Sequence, residues 1–387
     1  MNNEVLTVKC SIVRGGTSKA VFIMDNQLPK DQKKRDRIIL ALFGSPSLRQ
    51  LDGLGGADPT TSKVAIIGAP THPDADVDYT FGQVSMQDFF VDYGGNCGNI
   101  SSAVGPFAIY YGLVQAIEPV TEVKIHMTNT GHLLTAVVQV ANGKPCVDGD
   151  CVIGGVPRSS APIDMDWSKA TGCITGKMLP TGNAKDVFKV GGKDYTVSIV
   201  DGGNTGIYVK AADFGLKGTE SPDEINNNQK LLTDIEELRG RVCAKIGLAD
   251  KWEEAKIKTP YNPFVILLSE PVDHKTYTGA MIAKKDADIV ARPFNMQIAV
   301  KAYPGTITAA TGCAARIKGT LVHEMIGEEA LKKEQLNIGH ATGVITVTSV
   351  AENDDSAIPV MKKLSFVRTA RILMEGYAFV RVSDIED

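Results

Sequence analysis

The segment VDYGGNCGNISSAVGPF, residues 91–107, is the stretch around which the rest of the chain is organised. A β-prone run over residues 87–93 ends at two glycines, Cys97 follows between two asparagines, and residues 100–112 have helical character. The pattern predicts a strand, a sharp turn and a helix with Cys97 in its first turn. The N–H groups and dipole of a helix N-terminus favour a thiolate and can bind a carboxylate, which indicates proton chemistry on an acid. A small buried cysteine without a chemical role is the alternative.

Composition sets the class of protein. A chain of 387 residues predicts two domains, and 43% hydrophobic with 22% charged residues is typical of a soluble globular protein. The net charge of −4, without a basic block, favours neither nucleic acid nor a membrane as partner. Seven scattered cysteines and an N-terminus without a targeting pattern predict a cytoplasmic protein. The dispersed cysteines and six histidines predict no metal site.

An internal duplication is the clearest structural signal. Residues 12–22 (IVRGGTSKAVF) align without a gap with residues 199–209 (IVDGGNTGIYV). A helix over 31–43, a strand over 64–67 and the Cys97 turn then match a helix over 227–246, a strand over 264–268 and residues 302–316. The sequence therefore predicts an α+β fold of two pseudo-symmetric domains with a ligand cleft between them. The first covers 1–183 plus 372–387, and the second covers 184–371.

The two copies differ in chemistry. Gly305-Thr306 stands where the first copy has Cys97, and Cys313, further along, is typical of helix packing. Cys97 therefore needs another partner, and Lys63 is the best candidate because it follows a Gly/Asp/Pro-rich loop and begins an apolar strand. A desolvated lysine can act as acid or base, whereas a strand-end lysine in solvent is the alternative.

Further polar residues are predicted to bind substrate. They belong to the glycine turns of both copies and to the turn around Cys97, and they are Arg14, Thr17, Ser18, Lys19, Ser62, Asn96, Gly98, Asn99, Lys301, Thr306 and His340. The donors of the Arg14–Lys19 turn suit a carboxylate, and a polar hairpin tip is an equal alternative. His340 in a turn is also compatible with a hydrogen-bonded surface residue. Dinucleotide-binding and P-loop motifs are absent, so no nicotinamide or nucleotide cofactor is indicated, and the absence of a nucleophile-elbow motif argues against an α/β-hydrolase.

Five motifs carry a resemblance to a known family. RGGTSKAVF (14–22), GGADPTTSKVAI (55–66), GGNCGNISSAVGPFAI (94–109), HATG (340–343) and RTARILMEGYAFV (368–380) resemble the PrpF family. That family includes 2-methylaconitate cis-trans isomerase, 3-methylitaconate Δ-isomerase and 4-oxalomesaconate tautomerase. The resemblance implies a fold like diaminopimelate epimerase, with each domain a curled mixed sheet around a central helix, and no cofactor. It also places the family's catalytic lysine and cysteine on Lys63 and Cys97.

The implied reaction is a 1,3-allylic proton shift in a small unsaturated di- or tricarboxylate, moving a double bond or changing its geometry. Which of Lys63 and Cys97 is the base stays open at this point. The family commonly has a histidine where this chain has Val300-Lys301, and Lys301 is a candidate charge for a distal carboxylate or an exposed strand lysine. A keto–enol tautomerase and an amino-acid epimerase or racemase of the same fold are the alternative enzymes. A non-catalytic carboxylate-binding protein is the third alternative. A homo-oligomer, dimer or tetramer, is expected.

Overall fold

A computed structural model describes residues 4–352 and 358–386. Within them the α-helices are α1 (Gln32–Phe43), α2 (Gly98–Tyr110), α3 (Pro222–Asn226), α4 (Gln229–Lys245), α5 (Ala255–Lys258), α6 (Gly305–Arg316), α7 (Leu321–Met325) and α8 (Glu328–Leu331). The first nine strands are β1 (Val5–Gly15), β2 (Ser18–Met24), β3 (Lys63–Gly68), β4 (Val77–Val84), β5 (Val91–Asp92), β6 (Val120–Met127), β7 (His132–Ala141), β8 (Lys144–Pro145) and β9 (Ile163–Asp166).

The remaining strands follow in chain order. They are β10 (Asp186–Val190), β11 (Lys193–Asp201), β12 (Thr205–Lys210), β13 (Phe264–Ser269), β14 (His274–Lys275), β15 (Met281–Ile282), β16 (Ile289–Asn295), β17 (Ile298–Ala299), β18 (Gln335–His340), β19 (Gly343–Ala351), β20 (Met361–Arg368) and β21 (Ala370–Arg381). Parallel and antiparallel pairs both occur, so the fold is mixed α/β. No helix in the described part of the chain has the length and apolar character needed to cross a membrane.

The first of two compact units contains Met1–Met165 and Arg368–Asp387. In it β1 pairs antiparallel with β2 and with β21, and β2 pairs parallel with β3. β3 pairs antiparallel with β4, β4 pairs parallel with β6, and β6 forms a hairpin with β7. Parallel neighbours need a crossover, which α1 supplies between β2 and β3 and α2 supplies between β4 and β6.

The second unit, Asp166–Val367, shows the same order of pairings. β11 and β12 form a hairpin, β12 pairs parallel with β13, and β13 pairs antiparallel with β16. β16 pairs parallel with β18, and β18 forms a hairpin with β19. The order of elements therefore follows the predicted duplication. The domain limits read from the sequence, 1–183 with 372–387 and 184–371, and the cleft between the domains stay predictions.

Each unit contains one helix that is buried on every side. All residues of α2 from Gly98 to Ile109 are buried, as is α6 from Gly305 to Ala315. Both helices consist mainly of apolar and small residues because no face meets water, and their buried hydroxyl groups form hydrogen bonds to backbone carbonyls. Gly105 shows how closely α2 approaches β7, since a Cβ there would lie 2.9 Å from a methyl group of Val138. In each unit, polar side chains can therefore lie at the first turn of the central helix.

Two local predictions have different outcomes. The helix predicted over 31–43 is α1, with the Asp31 side chain accepting a hydrogen bond from Lys34 N at 2.9 Å. The strand predicted over 87–93 is wrong for most of its length, because only β5 is extended. Ser85 Oγ accepts hydrogen bonds from the backbone N–H groups of Gln87 and Asp88, which folds this segment into a turn.

Candidate functional site

Cys97 is the N-cap residue of α2. Its backbone is extended, its side chain makes no capping hydrogen bond, and only 4% of the residue is exposed. Its carbonyl accepts hydrogen bonds from both the N–H and the hydroxyl of Ser101, each at 2.8 Å. The helix begins at Gly98, two residues before the predicted start, so the thiol lies directly at the N-terminal turn. A helix N-terminus carries partial positive charge and unpaired N–H groups.

Lys63 begins β3, and its side chain is buried instead of extending into solvent. Nζ donates a hydrogen bond of 2.6 Å to Gln83 Oε1 on the neighbouring strand β4. Gln83 is itself fixed, because its Nε2 donates to the carbonyls of Ser62 at 2.9 Å and Pro59 at 3.1 Å. The alternative of a solvated strand-end lysine is therefore wrong: the residue is 5% exposed.

The fold brings Lys63 and Cys97 together. Burial lowers the pKa of Lys63, and the charge of Cys97 opposes that change through a Coulomb interaction and a hydrogen bond between the two side chains. The described residues thus contain a buried amine beside a buried thiol at a helix N-terminus. Such a pair can exchange a proton and can act as acid and base on a bound molecule.

Arg368 is a site residue that sequence reasoning missed as an individual candidate. It is 4% exposed, and its Nε donates a hydrogen bond of 3.0 Å to Asn99 Oδ1 in the first turn of α2. Burial lowers the pKa of Arg368 to about 10, against the raising effect of the nearby Cys97. The guanidinium therefore stays cationic at neutral pH and adds positive charge beside the thiol. The sequence signal for it is its position at the start of the last of the five motifs that carry the family resemblance, RTARILMEGYAFV.

Asn99 links Arg368 to the first glycine turn. Its Nδ2 donates to Thr17 Oγ1 at 3.1 Å, while its Oδ1 accepts from Arg368. Gly16 has a φ of 50° and lies so close that a Cβ there would overlap Asn99 Oδ1. The turn between β1 and β2 therefore fixes the Asn99 side chain, which in turn fixes the Arg368 guanidinium. Thr17 and Asn99, both predicted as site residues, are neighbours in one network.

Arg14 and Ser62 have other partners. Arg14 Nη1 donates to the carbonyl and the hydroxyl of Thr369 at 2.9 and 3.0 Å, and to Gly16 O at 3.0 Å. Ser62 is fully buried, and its hydroxyl donates to Gln50 Oε1 at 2.7 Å. These contacts fix the loops that carry Lys63 and Thr17.

The other predicted residues of the first unit lie on the same two turns. Ser18 is buried in β2, Lys19 is half-buried, Asn96 is fully buried next to Cys97, and Gly98 is the first residue of α2. Asn96, Gly98 and Asn99 thus lie at the N-terminal turn of α2, where Thr17 contacts Asn99, whereas Ser18 and Lys19 continue the glycine turn into β2. Their role as substrate ligands stays a prediction.

The second unit has its own polar N-terminus at α6. Thr306 is buried in the first turn and accepts a hydrogen bond from Asn204 Nδ2 at 3.0 Å. His340 ends β18, is 4% exposed, and has Nδ1 3.1 Å from Thr342 Oγ1. Lys301 is exposed, with Nζ 5.3 Å from the centre of the Tyr277 ring. His340 is thus buried and hydrogen-bonded, and a cation–π contact holds Lys301.

The described residues contain no group of three or more His, Cys, Asp or Glu side chains that could hold a metal ion. Cys313, the cysteine of α6, is fully buried, and burial raises its pKa far above the usual range. Its thiol therefore stays protonated and packs as an apolar group.

The amino-acid sequence matches one family of known proteins. The model of the family described as PrpF protein matches residues 5–382. The chain is 50% identical to 3-methylitaconate isomerase of Eubacterium barkeri over 379 residues, 98% of each protein. It is 34% identical to 2-methyl-aconitate isomerase of Shewanella oneidensis, over 97% of each. It is 35% identical to 4-oxalomesaconate tautomerase of Pseudomonas putida, over 95% of each.

Solved structures agree with the sequence relatives. The crystal structure of a methylitaconate-delta-isomerase has a TM-score of 0.83 and 49% identity, covering 99% of this chain and 98% of that one. A hydroxyproline epimerase from Agrobacterium vitis has a TM-score of 0.57 at 13% identity, covering 97% of this chain and 93% of that one. The second match shows that the fold is related to that of epimerases.

Proposed function

Because this chain belongs to the PrpF protein family, we propose that it is an isomerase that moves a carbon–carbon double bond in a small unsaturated carboxylate. The first substrate to test is 3-methylitaconate. The observation that carries this choice is 50% identity to a 3-methylitaconate isomerase over 98% of both proteins. At that similarity the reaction class and the substrate class are usually shared, whereas the relatives near 35% identity are named for other acids.

Lys63 and Cys97 are the proposed acid–base pair. One group removes a proton from the allylic carbon of the substrate, and the electron pair delocalises over the double bond and the adjacent carboxylate as a dienolate. The other group then donates a proton to the far carbon of the allylic system, so the double bond has moved and no atom is gained or lost. Both side chains are buried and in contact, which suits a proton transfer shielded from water.

The charge that develops on the substrate carboxylate needs stabilisation. Arg368 supplies a buried guanidinium that interacts electrostatically with Cys97. The first turn of α2 supplies backbone N–H groups. Because Asn99 fixes Arg368 at 3.0 Å, the cation is held in place before the substrate arrives. Fixed donors of this kind stabilise a transition state without reorganising during the reaction. We propose Thr17, Ser18, Asn96 and Gly98 as the remaining contacts from this unit.

The second unit contributes the proposed contacts for a distal carboxylate. Thr306 in the first turn of α6, His340 and Lys301 are the candidates, as the family resemblance suggests. Lys301 is the exposed cation among them, so we propose that it contributes most to the choice between substrates. We also propose that the enzyme is a cytoplasmic homo-oligomer that needs no cofactor.

An amino-acid epimerase is the less favoured alternative. Epimerisation by two cysteines would need a thiol at the N-terminus of α6, where this chain has Gly305 and Thr306. Cys313 lies deep within the same helix and keeps its proton. Incubation with proline or diaminopimelate tests this alternative directly.

Deuterium exchange tests the proposed reaction. In deuterated water the unmutated protein should exchange the allylic protons of 3-methylitaconate for deuterium. NMR measures this exchange, and methylaconitate and oxalomesaconate are tested in parallel as substrates. Cys97→Ser and Lys63→Ala should each abolish exchange while the circular dichroism spectrum stays that of the folded protein. Full exchange in either folded variant would remove that residue from the mechanism. Tight binding without exchange in the unmutated protein would support a non-catalytic carboxylate-binding protein instead.

A further inference from the structure

A second polar cavity lies wholly within the second unit. It has a volume of about 410 Å³, which is in the range of small-molecule sites. Arg292, His274 and Thr276 line it as buried residues, whereas Glu224 and Asp273 line it as exposed ones. None of these residues belongs to the proposed catalytic or substrate-binding set.

Arg292 brings a buried positive charge to this cavity and forms no salt bridge with a carboxylate of the described residues. It is 2% exposed, with Nε donating to Glu220 O at 2.8 Å and Nη1 donating to Ala291 O at 3.1 Å. Among the described residues, Nη2 has no hydrogen-bond partner and no ion pair forms. Burial lowers the pKa of Arg292 to about 10, so the guanidinium is still charged at neutral pH. Its hydrogen bonds go to neutral carbonyls, and the nearby Glu220 opposes the lowering of its pKa, so the guanidinium keeps a donor for a ligand carboxylate.

His274 brings a buried acceptor to the same cavity. It is 6% exposed, and Nδ1 lies 2.8 Å from the carbonyl oxygen of Val272, so Nδ1 carries the hydrogen and donates it. Burial holds the pKa of His274 below its usual range, which leaves the imidazole neutral. Nε2 then presents a lone pair that has no partner in the described part of the chain. Leaving such an acceptor unpaired is unfavourable, so a ligand N–H or O–H is expected there.

The rim of the cavity selects against a plain anion. The carboxyl groups of Glu220, Glu224 and Asp273 line it, opposed there by the exposed Lys275. Each of these carboxyl groups accepts a hydrogen bond from a backbone N–H, and hydrogen bonds from Ser221 lower the pKa of Glu224. A dianion would meet three negative charges, whereas a ligand carrying its own positive charge would be attracted.

We propose that this cavity binds a small zwitterion of the amino-acid class, with its carboxylate on Arg292 and its ammonium donating to His274 Nε2. An α-amino acid carries its two charged groups on one carbon, so it can engage a neighbouring cation and acceptor together. The acidic rim then favours the ammonium group. This site goes beyond the isomerase function, because none of its residues takes part in the proton shift, and each proposal can fail without the other.

Three probes of matched shape test the proposal on the whole protein. L-Alanine has both charged groups, propionate lacks the ammonium, and ethylamine lacks the carboxylate. Imidazole signals of the six histidines are followed by NMR during each titration, and the His274 signal is identified by its loss in His274→Asn. Asparagine keeps a side-chain N–H for Val272 O but removes the Nε2 acceptor. We expect alanine to shift the His274 signal and to bind more tightly than either partial analogue.

Calorimetry with variants completes the test. Arg292→Gln should weaken alanine binding by about tenfold or more, because a charge-assisted hydrogen-bond pair is lost. Lys285→Ala, which removes an exposed cation that does not line the cavity, should leave the affinity unchanged. The proposal is overturned if alanine shifts no histidine signal, if propionate binds as tightly as alanine, or if folded Arg292→Gln keeps the original affinity.

Discussion

Gln83 offers the sharpest test of how the fold tunes Lys63. Its Oε1 accepts a hydrogen bond of 2.6 Å from Nζ, while its Nε2 donates to two backbone carbonyls. Replacing it with leucine removes that acceptor from a buried ammonium. Replacing it with glutamate places a negative charge at the same position. The two variants therefore act on the protonated lysine in opposite directions.

The magnitude follows from the contact that is lost. A hydrogen bond to a charged group contributes about 1.5–3 kcal/mol, and a factor of ten corresponds to about 1.4 kcal/mol. If the transition state uses this bond fully, kcat/KM of Gln83→Leu falls by roughly 10- to 150-fold. The same variant loses two bonds to backbone carbonyls, so its free energy of unfolding should also fall by about 1–3 kcal/mol.

The assay is the pH dependence of kcat/KM with 3-methylitaconate, which reports the titration of the free enzyme. Loss of the acceptor lowers the pKa of Lys63 further, so the limb of the profile that belongs to the Lys63–Cys97 pair should move to lower pH in Gln83→Leu. It should move to higher pH in Gln83→Glu. These directions hold whichever member of the pair is the base, because they concern only the proton on Lys63.

A structural amide in the same unit provides the control. Asn129 accepts from Phe81 N at 2.8 Å and donates to Phe81 O and Tyr93 O at 2.8 and 2.9 Å. Asn129→Leu should lower stability without moving either limb of the profile. Limbs that stay in place in both Gln83 variants, or that move in the same direction, would refute the idea that Gln83 sets the protonation of Lys63.

Three further predictions concern single residues. Gly16→Ala should reduce the free energy of unfolding by about 1–3 kcal/mol in thermal unfolding, because the backbone is left-handed at this position. It should also reduce activity, because the new Cβ overlaps Asn99 Oδ1, which accepts the hydrogen bond from Arg368. Full activity would contradict the role given to this network. Lys63→Met should be inactive yet unfold in urea at neutral pH with at least the original free energy. The folded-state pKa of Lys63 lies below its unfolded value, so the unmutated protein gains stability as pH rises between the two, and the methionine variant should lack that gain. Cys313→Ala should keep its activity, since that thiol is buried and protonated; loss of exchange in the folded variant would reopen a two-cysteine mechanism.

The parts of the site that depend on local sequence could be predicted. The start of α2 follows from two glycines before a run of small helix-compatible residues, and Lys63 heads β3 because a loop rich in turn residues ends at Ser62. Both are decided within about ten residues of chain, where turn chemistry and apolar patterning act.

The parts that depend on distant pairing could not be predicted. Arg368 reaches Asn99 across 269 residues, and that contact exists only because β21 pairs with β1. The same pairing places Thr369 beside Arg14, so an arginine that looks like an open anion ligand in the sequence is already hydrogen-bonded in the fold. Gln83 faces Lys63 through the register of β3 and β4, which no local pattern specifies.

The electrostatics of the first unit explain why an acid is a fitting substrate. Two cations, Lys63 and Arg368, are buried near one thiol, and burial lowers the pKa of both. Burial therefore disfavours both charges, and hydrogen bonds to Gln83 and Asn99 and the charge of Cys97 offset part of that cost. A bound carboxylate would add a further negative charge and so favour the protonated forms of both side chains. The fold thus concentrates positive charge near the N-terminus of α2, which is why the proposed proton transfer at Lys63 and Cys97 suits an acid as substrate.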